Sequence, residues 1–388
     1  MYLKKLELKN YRNYSHVDLN FSKDTILILG DNGQGKTNLL ESIYYISTGR
    51  SHRTYSQNEL INWDSDYSIL RALVGSEEED IGSDNLIELE LRDDNNIKIK
   101  VNRVYCRKKS EFVSILPSVI FSPDDLRIVK ANPSNRRNFL DSILDKIYDD
   151  FFSLRLKYQK ILTQRNSLIK SIGSTANVKN NPTLETWNDN IVKSGIKIIE
   201  KRILLMEELR KKFIEYMNYF FTSTLVSIFY IFSWDRENLS VGNLTENMQE
   251  ELVKGLEREF RLQLEKNLSK DLSYKTTTIG PHRDDFVILI GGKDIRAFGS
   301  QGQQRTASIS LKLGELAALK EKLRRDPILL LDDVLSELDM ERKKILVKII
   351  NNKFQTFITT TNISYLNEID IDFGNKFLVK DNKISDLK

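Results

Sequence analysis

The stretch Thr25-Ile26-Leu27-Ile28-Leu29-Gly30-Asp31-Asn32-Gly33-Gln34-Gly35-Lys36-Thr37 decides how this chain is read. Its first five residues form a continuously apolar run, as expected of a strand buried on both faces of a sheet. Gly30 to Thr37 then fit G-x-x-x-x-G-K-[ST], and Leu39, Leu40, Ile43 and Tyr44 follow at helical spacing. Strand, glycine-rich turn and helix together are the context this motif needs. Glycines let backbone N–H groups curl around phosphates, and the helix adds its positive end. The motif therefore predicts a nucleotide site made by Gly30, Asp31, Asn32, Gly33, Gln34, Gly35, Lys36 and Thr37, in which Lys36 reaches the β and γ phosphates and Thr37 ligates Mg²⁺.

Such a site needs a second group to hold the metal. Ile328-Leu329-Leu330-Leu331-Asp332-Asp333 supplies it as a second apolar strand, ending in two carboxylates. Asp332 is expected to hold Mg²⁺, and Asp333 to orient or deprotonate the attacking water. Before the amphipathic helix carrying Leu311, Leu313, Leu316 and Leu319 comes Ser300-Gln301-Gly302-Gln303. It resembles the signature loop of ABC-type ATPases, and Ser336-Glu337-Leu338-Asp339 resembles their D-loop. In that class the loop of one subunit binds the phosphate held by the other, which implies an ATP-dependent homodimer.

Around these motifs, Tyr2 to Leu8 and Val17 to Phe21 alternate as two strands, and the segments 86–91 and 96–101 read as a hairpin turning at Asp93, Asp94 and Asn95. From about 135 to 270 the alternation gives way to helical periodicity, notably over 138–172 and 184–230, broken by a turn-rich cluster at 173–182. Strand signals return with 286–290, followed by a helix from about 303 to 323. A crossover helix over 337–351 then joins the carboxylate strand to Thr356-Phe357-Ile358-Thr359-Thr360. The acidic run 75–80 reads as a solvated loop.

The near balance of 59 Lys and Arg against 55 Asp and Glu does not by itself indicate nucleic acid. A lone cysteine, Cys106, excludes an internal disulfide, and three scattered histidines offer no metal spacing. The charged, alternating N-terminus is no signal peptide and the apolar-looking stretch 225–234 is too short to span a bilayer, so a cytoplasmic protein without membrane contact is expected. Basic residues at Arg103, Arg107, Lys108 and Lys109, and at Arg136, Arg137, Arg155, Lys157, Lys160 and Arg165, are candidate phosphate contacts. With no helix-turn-helix or zinc pattern, any contact with nucleic acid would favour the phosphate backbone or structure over base sequence.

The whole chain resembles the RecF family, bacterial recombination-repair ATPases built like the head of an SMC protein. Beyond the two nucleotide motifs, the resemblance rests on Asn10-Tyr11-Arg12-Asn13-Tyr14, Thr48-Gly49-Arg50-Ser51-His52-Arg53, Phe121-Ser122-Pro123-Asp124-Asp125-Leu126, Arg136-Arg137-Asn138-Phe139-Leu140-Asp141 and Gly280-Pro281-His282-Arg283-Asp284-Asp285. It implies an α/β fold, an ABC/SMC-type P-loop ATPase head formed by residues 1–130 and 272–388 with an inserted, mainly α-helical lobe at 131–271. It further implies ATP-dependent dimerisation, weak DNA-dependent hydrolysis, binding to gapped, single-stranded or duplex DNA, and help in loading RecA with RecR and RecO. Arg12 lies where the SMC-type arginine loop approaches the nucleotide phosphates, and His282 reads as a structural or interface residue. Asp333 stands where most ABC relatives have Glu, no glutamine occurs in 121–126, and no switch histidine follows Thr359. The rival class, a transporter's nucleotide-binding subunit, places its signature far closer to the P-loop. A long-armed SMC protein needs heptads over hundreds of residues, for which there is no room.

Overall fold

The computed structural model describes residues 1–54, 56–75, 84–94, 96–108, 110–172, 181–221, 225–235, 246–351, 353–366 and 371–387. The acidic residues 76–80, the turn residue Asn95, Lys109 and the cluster 173–180 lie outside the described residues. Two compact units emerge: Met1–Asp125 with Glu315–Lys388, and Leu126–Gly314.

The first unit contains two six-stranded sheets. One runs Tyr14–Asn20, Tyr2–Tyr11, Tyr67–Gly75, Asn85–Arg92, Ile97–Val101 and Val104–Tyr105 in spatial order, with every pair antiparallel. Alternation is the cause: Leu6, Leu8, Leu70, Ala72, Ile87 and Leu89 point inward and are fully buried, while the residues between them face outward.

The other sheet runs Lys383–Asp386, Phe373–Lys380, Thr25–Leu29, Thr356–Thr360, Ile328–Asp332 and Ser118–Phe121, parallel except for its terminal hairpin. Its strands Ile328–Asp332 and Thr356–Thr360 are buried along their whole length because both faces are covered. One continuous apolar cluster joins Leu6 and Leu70 of the first sheet, Leu40 and Ile43 of the helix Lys36–Thr48, and Ile28, Leu330 and Phe357 of the second. Each such side chain contributes about 1.5–3 kcal/mol on burial, so the helix that follows the glycine loop is fixed in place.

The helix Met340–Ile350 crosses from Ile328–Asp332 to Thr356–Thr360. Thr25–Leu29 and Ile328–Asp332 thus flank Thr356–Thr360 with all three strands parallel. Their carboxyl ends share one edge, where open α/β sheets bind ligands.

The second unit carries the helices Pro133–Ile147, Phe151–Ile172, Pro182–Phe220, Glu246–Lys266 and Leu268–Tyr274. It also carries a small antiparallel sheet of Lys293–Asp294, Asp285–Ile290 and Val226–Ile231. The expected helix over 184–230 ends at Phe220, because Val226, Ile228 and Tyr230 are buried in alternation and pair along the whole of Asp285–Ile290. That pairing keeps 285–290 with the helices, so the break between units falls after Gly314 and not after 271. The helix Gln301–Leu323 begins in one unit and ends in the other.

Buried arginines tie the second unit together. Arg165, wholly buried, donates to Asp271 at 2.8 Å, Thr277 at 2.7 Å and Asn188 at 2.8 Å. Arg202 makes a two-pronged pair with Asp141 at 2.8 and 2.9 Å and donates to the Pro281 carbonyl at 2.6 Å. Arg136 holds Asp285 at 2.6 and 3.0 Å. The two stretches 136–141 and 280–285 are therefore locked to each other.

Candidate nucleotide site

The glycine loop has the conformation its sequence demands. Gly33 and Gly35 sit at φ 80° and 111°, where a side chain is strained. A Cβ on Gly30 would lie 2.4 Å from the Val379 carbonyl, and one on Gly35 would lie 2.5 Å from Asn13 Nδ2. Lys36 opens the helix, is almost wholly buried, and donates through Nζ to the carbonyls of Gly30 at 2.7 Å and Asp31 at 2.8 Å. Burial lowers its pKa from the usual lysine value, against the opposing pull of Asp333, Asp332 and Asp31. An incoming phosphate offers this ammonium oxygens of full negative charge in place of carbonyls.

Next to it, Thr37 Oγ1 donates to Asp332 Oδ1 at 2.9 Å, bringing together the two residues expected to hold a metal. Thr359, on the strand between them, completes the set: its hydroxyl is 3.1 Å from the same Asp332 oxygen and receives the Asp333 N–H at 2.9 Å. Burial raises the Asp332 pKa, and the hydrogen bonds from Thr37 and Thr359 oppose the shift. Asp333 adopts a left-handed conformation at φ 53°, which Asp tolerates better than most residues. Its Oδ1 is buried with no hydrogen-bond partner among the described residues. A hydroxyl and two carboxylates, one of them short of a donor, form an oxygen set suited to a hard divalent cation and its waters.

Arg12 is placed differently from the sequence expectation. Both prongs of its guanidinium rest on Glu41, at 2.9 and 2.8 Å, and Glu41 is fully buried in the helix after the loop. Glu41 also accepts from Ser51 at 2.5 Å and lies 3.8 Å from Arg53. Burial disfavours its charge, yet the bonds from Arg12 and Ser51 prevail and lower its pKa. One carboxylate thus gathers the stretches 10–14 and 48–53. Arg53 donates to Asn38 at 2.8 Å, Asn38 to Asn13 at 2.8 Å, and Asn13 to the Gln34 carbonyl at 3.4 Å, a chain that returns to the glycine loop. Arg53 also acts electrostatically on Asp332. Sequence reasoning passed over Glu41, Arg53 and Thr359. A carboxylate among Leu39, Leu40 and Ile43 and a hydroxyl at the end of an apolar strand were the available signals.

The remaining motif residues lie elsewhere. Ser300 and Gln303 form a reciprocal capping box: the Ser300 N–H donates to Gln303 Oε1 at 2.8 Å, and the Gln303 N–H to Ser300 Oγ at 3.2 Å. The first-turn N–H groups of Gln301 and Gly302 are left outside that box. Ser300 to Gln303 belong to the second unit and the glycine loop to the first. Asp339 caps Met340–Ile350, accepting the Arg342 N–H at 2.9 Å. His282 is buried between Tyr158, at 2.7 Å from Nδ1, and the Thr277 carbonyl, at 3.1 Å from Nε2.

Comparison with known proteins matches residues 2–383 to the family described as RecF/RecN/SMC N terminal domain. The DNA replication and repair protein RecF of Clostridium botulinum (strain ATCC 19397 / Type A) is 39% identical over 385 residues, covering 99% of each chain. That of Natranaerobius thermophilus is 38% identical over 98% of this chain and 97% of its own. Among solved structures, the recombination mediator protein RecF-ATP of the RecFOR pathway superposes with TM-score 0.85 at 36% identity, over 100% of this chain and 98% of that one. An Smc head bound to the C-terminal winged-helix domain of ScpA shares the fold at TM-score 0.56 and 16% identity, over 100% of this chain and 98% of that one.

Proposed function

Because the chain belongs to the RecF family of ABC/SMC-type ATPases of DNA replication and repair, we propose that it is an ATP- and Mg²⁺-dependent DNA clamp that closes as a homodimer and opens on slow hydrolysis. The observation that carries this reading is the 2.9 Å contact between Thr37 and Asp332 beside the unpartnered, buried Asp333 oxygen. Thr37 and Asp332 would hold Mg²⁺, which would supply neutralisation of phosphate charge. Lys36 leaves its two carbonyl partners for those phosphates, and the glycine-loop N–H groups cradle them. Asp333 orients the attacking water and takes its proton.

Ser300, Gln301, Gly302 and Gln303 of a second copy complete the site, with the N–H groups of Gln301 and Gly302 facing the γ-phosphate. Closure on ATP engages gapped, single-stranded or duplex DNA through its backbone, and the closed form acts with RecR and RecO to load RecA. The resemblance to a RecF-ATP structure over the full chain supports the nucleotide, and that protein's place in the RecFOR pathway supports the partners.

Two measurements test this. Lys36→Met removes the ammonium that meets the phosphates and is expected to abolish the ATP-induced dimer in sedimentation velocity; a dimer that persists overturns the clamp. Binding to gapped, single-stranded and duplex DNA across a salt series is expected to strengthen with ATP, and nucleotide-independent binding would leave the protein a scaffold.

A further inference from the structure

The sequence offers two groups of cations for DNA, and the structure separates them. In the second unit, Arg136 is 2% exposed and committed to Asp285, and Arg165 is wholly buried on Asp271. Arg155 pairs with Asp145, and Arg137 donates to the Asp284 carbonyl at 2.8 Å, so that of this group only Lys157 and Lys160 stand exposed. Both guanidiniums are withdrawn from solvent onto carboxylates, so Arg136 and Arg165 are not available to phosphates.

At the far edge of the antiparallel sheet the situation is the reverse. Between 98 and 108 stand Lys98, Lys100, Arg103, Arg107 and Lys108 with no carboxylate among them. None of these five has an ion pair among the described residues. The acids across the ladder, Glu88 and Glu90, are taken by Arg71 at 3.0 Å and Arg92 at 2.7 Å. Glu111 accepts the backbone N–H groups of Arg107 and Lys108, at 3.2 and 3.0 Å, and leaves their side chains to solvent.

The surface is also rigid and not purely ionic. Asn102 and Arg103 turn the hairpin at φ 50° and 69°. Asn102 binds the Leu86 N–H and carbonyl, each at 2.9 Å, and Asn85 at 3.0 Å, pinning the turn to the neighbouring strand. Val104 and Tyr105, on the edge strand, are 70% and 58% exposed, and Lys100 lies 4.8 Å from the Tyr105 ring centre. Cations guard sheet edges against strand pairing, but that role leaves an exposed Val and Tyr unexplained. Cations around a fixed turn, with an aromatic between them, suit a polyanion that also has sugar and base faces to contact.

We propose that this hairpin, Ile97–Val101 with Val104–Tyr105 and the segment through Lys108, is the surface that holds the sugar–phosphate backbone of DNA. It rests on the DNA-binding reading above and names its contact. The full chain carrying Arg103→Gln, Arg107→Gln and Lys108→Gln is compared with wild type and with a charge-matched triple, Lys170→Gln, Lys193→Gln and Lys197→Gln, at exposed helix positions. Binding to labelled duplex, single-stranded and gapped DNA is read with ATP across a salt series, and ATP-induced dimerisation reports integrity. The hairpin triple is expected to dimerise normally, to lose about 2–3 from the slope of log K against log salt, and to bind at least about tenfold more weakly at low salt. The helix triple keeps the wild-type slope. An unchanged slope in the hairpin triple overturns the proposal, as it must if these cations serve an acidic protein, and so does an equal loss in both triples. Wild type that binds no DNA with ATP removes the DNA reading itself, and this surface with it.

Discussion

Asp333 is the residue whose surroundings constrain its role most. It stands in a left-handed conformation, its N–H is fixed by Thr359 at 2.9 Å, and one of its oxygens is buried without a donor among the described residues. A site that strains a backbone and leaves an acceptor unmet is holding that acceptor for something else. Asp333→Asn keeps the shape and removes the charge. ATP-induced dimers are expected to form and persist while turnover falls at least about 100-fold, the usual scale of a lost general base; wild-type turnover would assign the water to another group. Thr359→Val strips the hydroxyl that donates to the Asp332 carboxylate and accepts the Asp333 N–H, leaving that N–H orphaned. Unfolding in denaturant is expected to show a loss of about 1–3 kcal/mol, recovered by Thr359→Ser; no loss in the Val variant would mean that water replaces the hydroxyl. The sequence announced Lys36, Thr37 and Asp332 because a motif has fixed spacing along the chain. Thr359 has no such spacing and meets the loop only because strands 25–29, 356–360 and 328–332 lie side by side, and Glu41, in the helix after the loop, is marked only by partners from the separate stretches 10–14 and 48–53.

Elements were legible where a single periodicity ruled. The strands Ile328–Asp332 and Thr356–Thr360 stand where the apolar runs put them. The strand Val226–Ile231 was read as helix because it follows the long helix Pro182–Phe220 and its partner lies far along the chain, at Asp285–Ile290. Sheet pairing is non-local, and a six-residue segment carries too little pattern to announce it. The turn before that partner strand holds two buried titrating groups with opposite effects. Burial lowers the His282 pKa from 6.5 to about 4, so the unfolded chain takes up a proton first and stability is lost as pH falls through that window. Burial raises the Asp284 pKa from 3.8 to about 6, against hydrogen bonds from Ser233 and Tyr230, so the folded chain keeps its proton longer and stability is lost as pH rises through that window. Each shift amounts to about 3 kcal/mol and the two largely cancel. His282→Gln is expected to leave a protein whose denaturant midpoint falls as pH is raised from 4 to about 6, and Asp284→Asn one whose midpoint rises from 4 to about 6.5. Wild-type pH profiles in both variants would show that neither proton is coupled to folding.

At the scale of the whole molecule, the discontinuous arrangement was legible because helical periodicity interrupts two blocks of strand signals. The boundary after Gly314 was not, because it depends on the same non-local pairing of 226–231 with 285–290. The consequence of that arrangement is that Lys36 and Ser300 belong to different compact units of one chain. In the homodimer proposed above, twofold symmetry makes two composite sites, each taking Lys36 from one copy and Ser300 from the other. Lys36→Met spoils the phosphate loop, and Ser300→Arg blocks the facing loop with a bulky side chain at an exposed cap. Either variant alone has two damaged sites per dimer. In a mixed dimer both defects fall in the same site and the other is intact. An equimolar mixture is therefore expected to regain ATP-dependent dimerisation, with about a quarter of the wild-type number of intact sites when subunits pair at random. Sedimentation velocity with ATP on the two variants, alone and mixed, reads this directly. A mixture that dimerises no better than its components would mean that Ser300 does not complete the site of a second copy, and the nucleotide would then act within one chain.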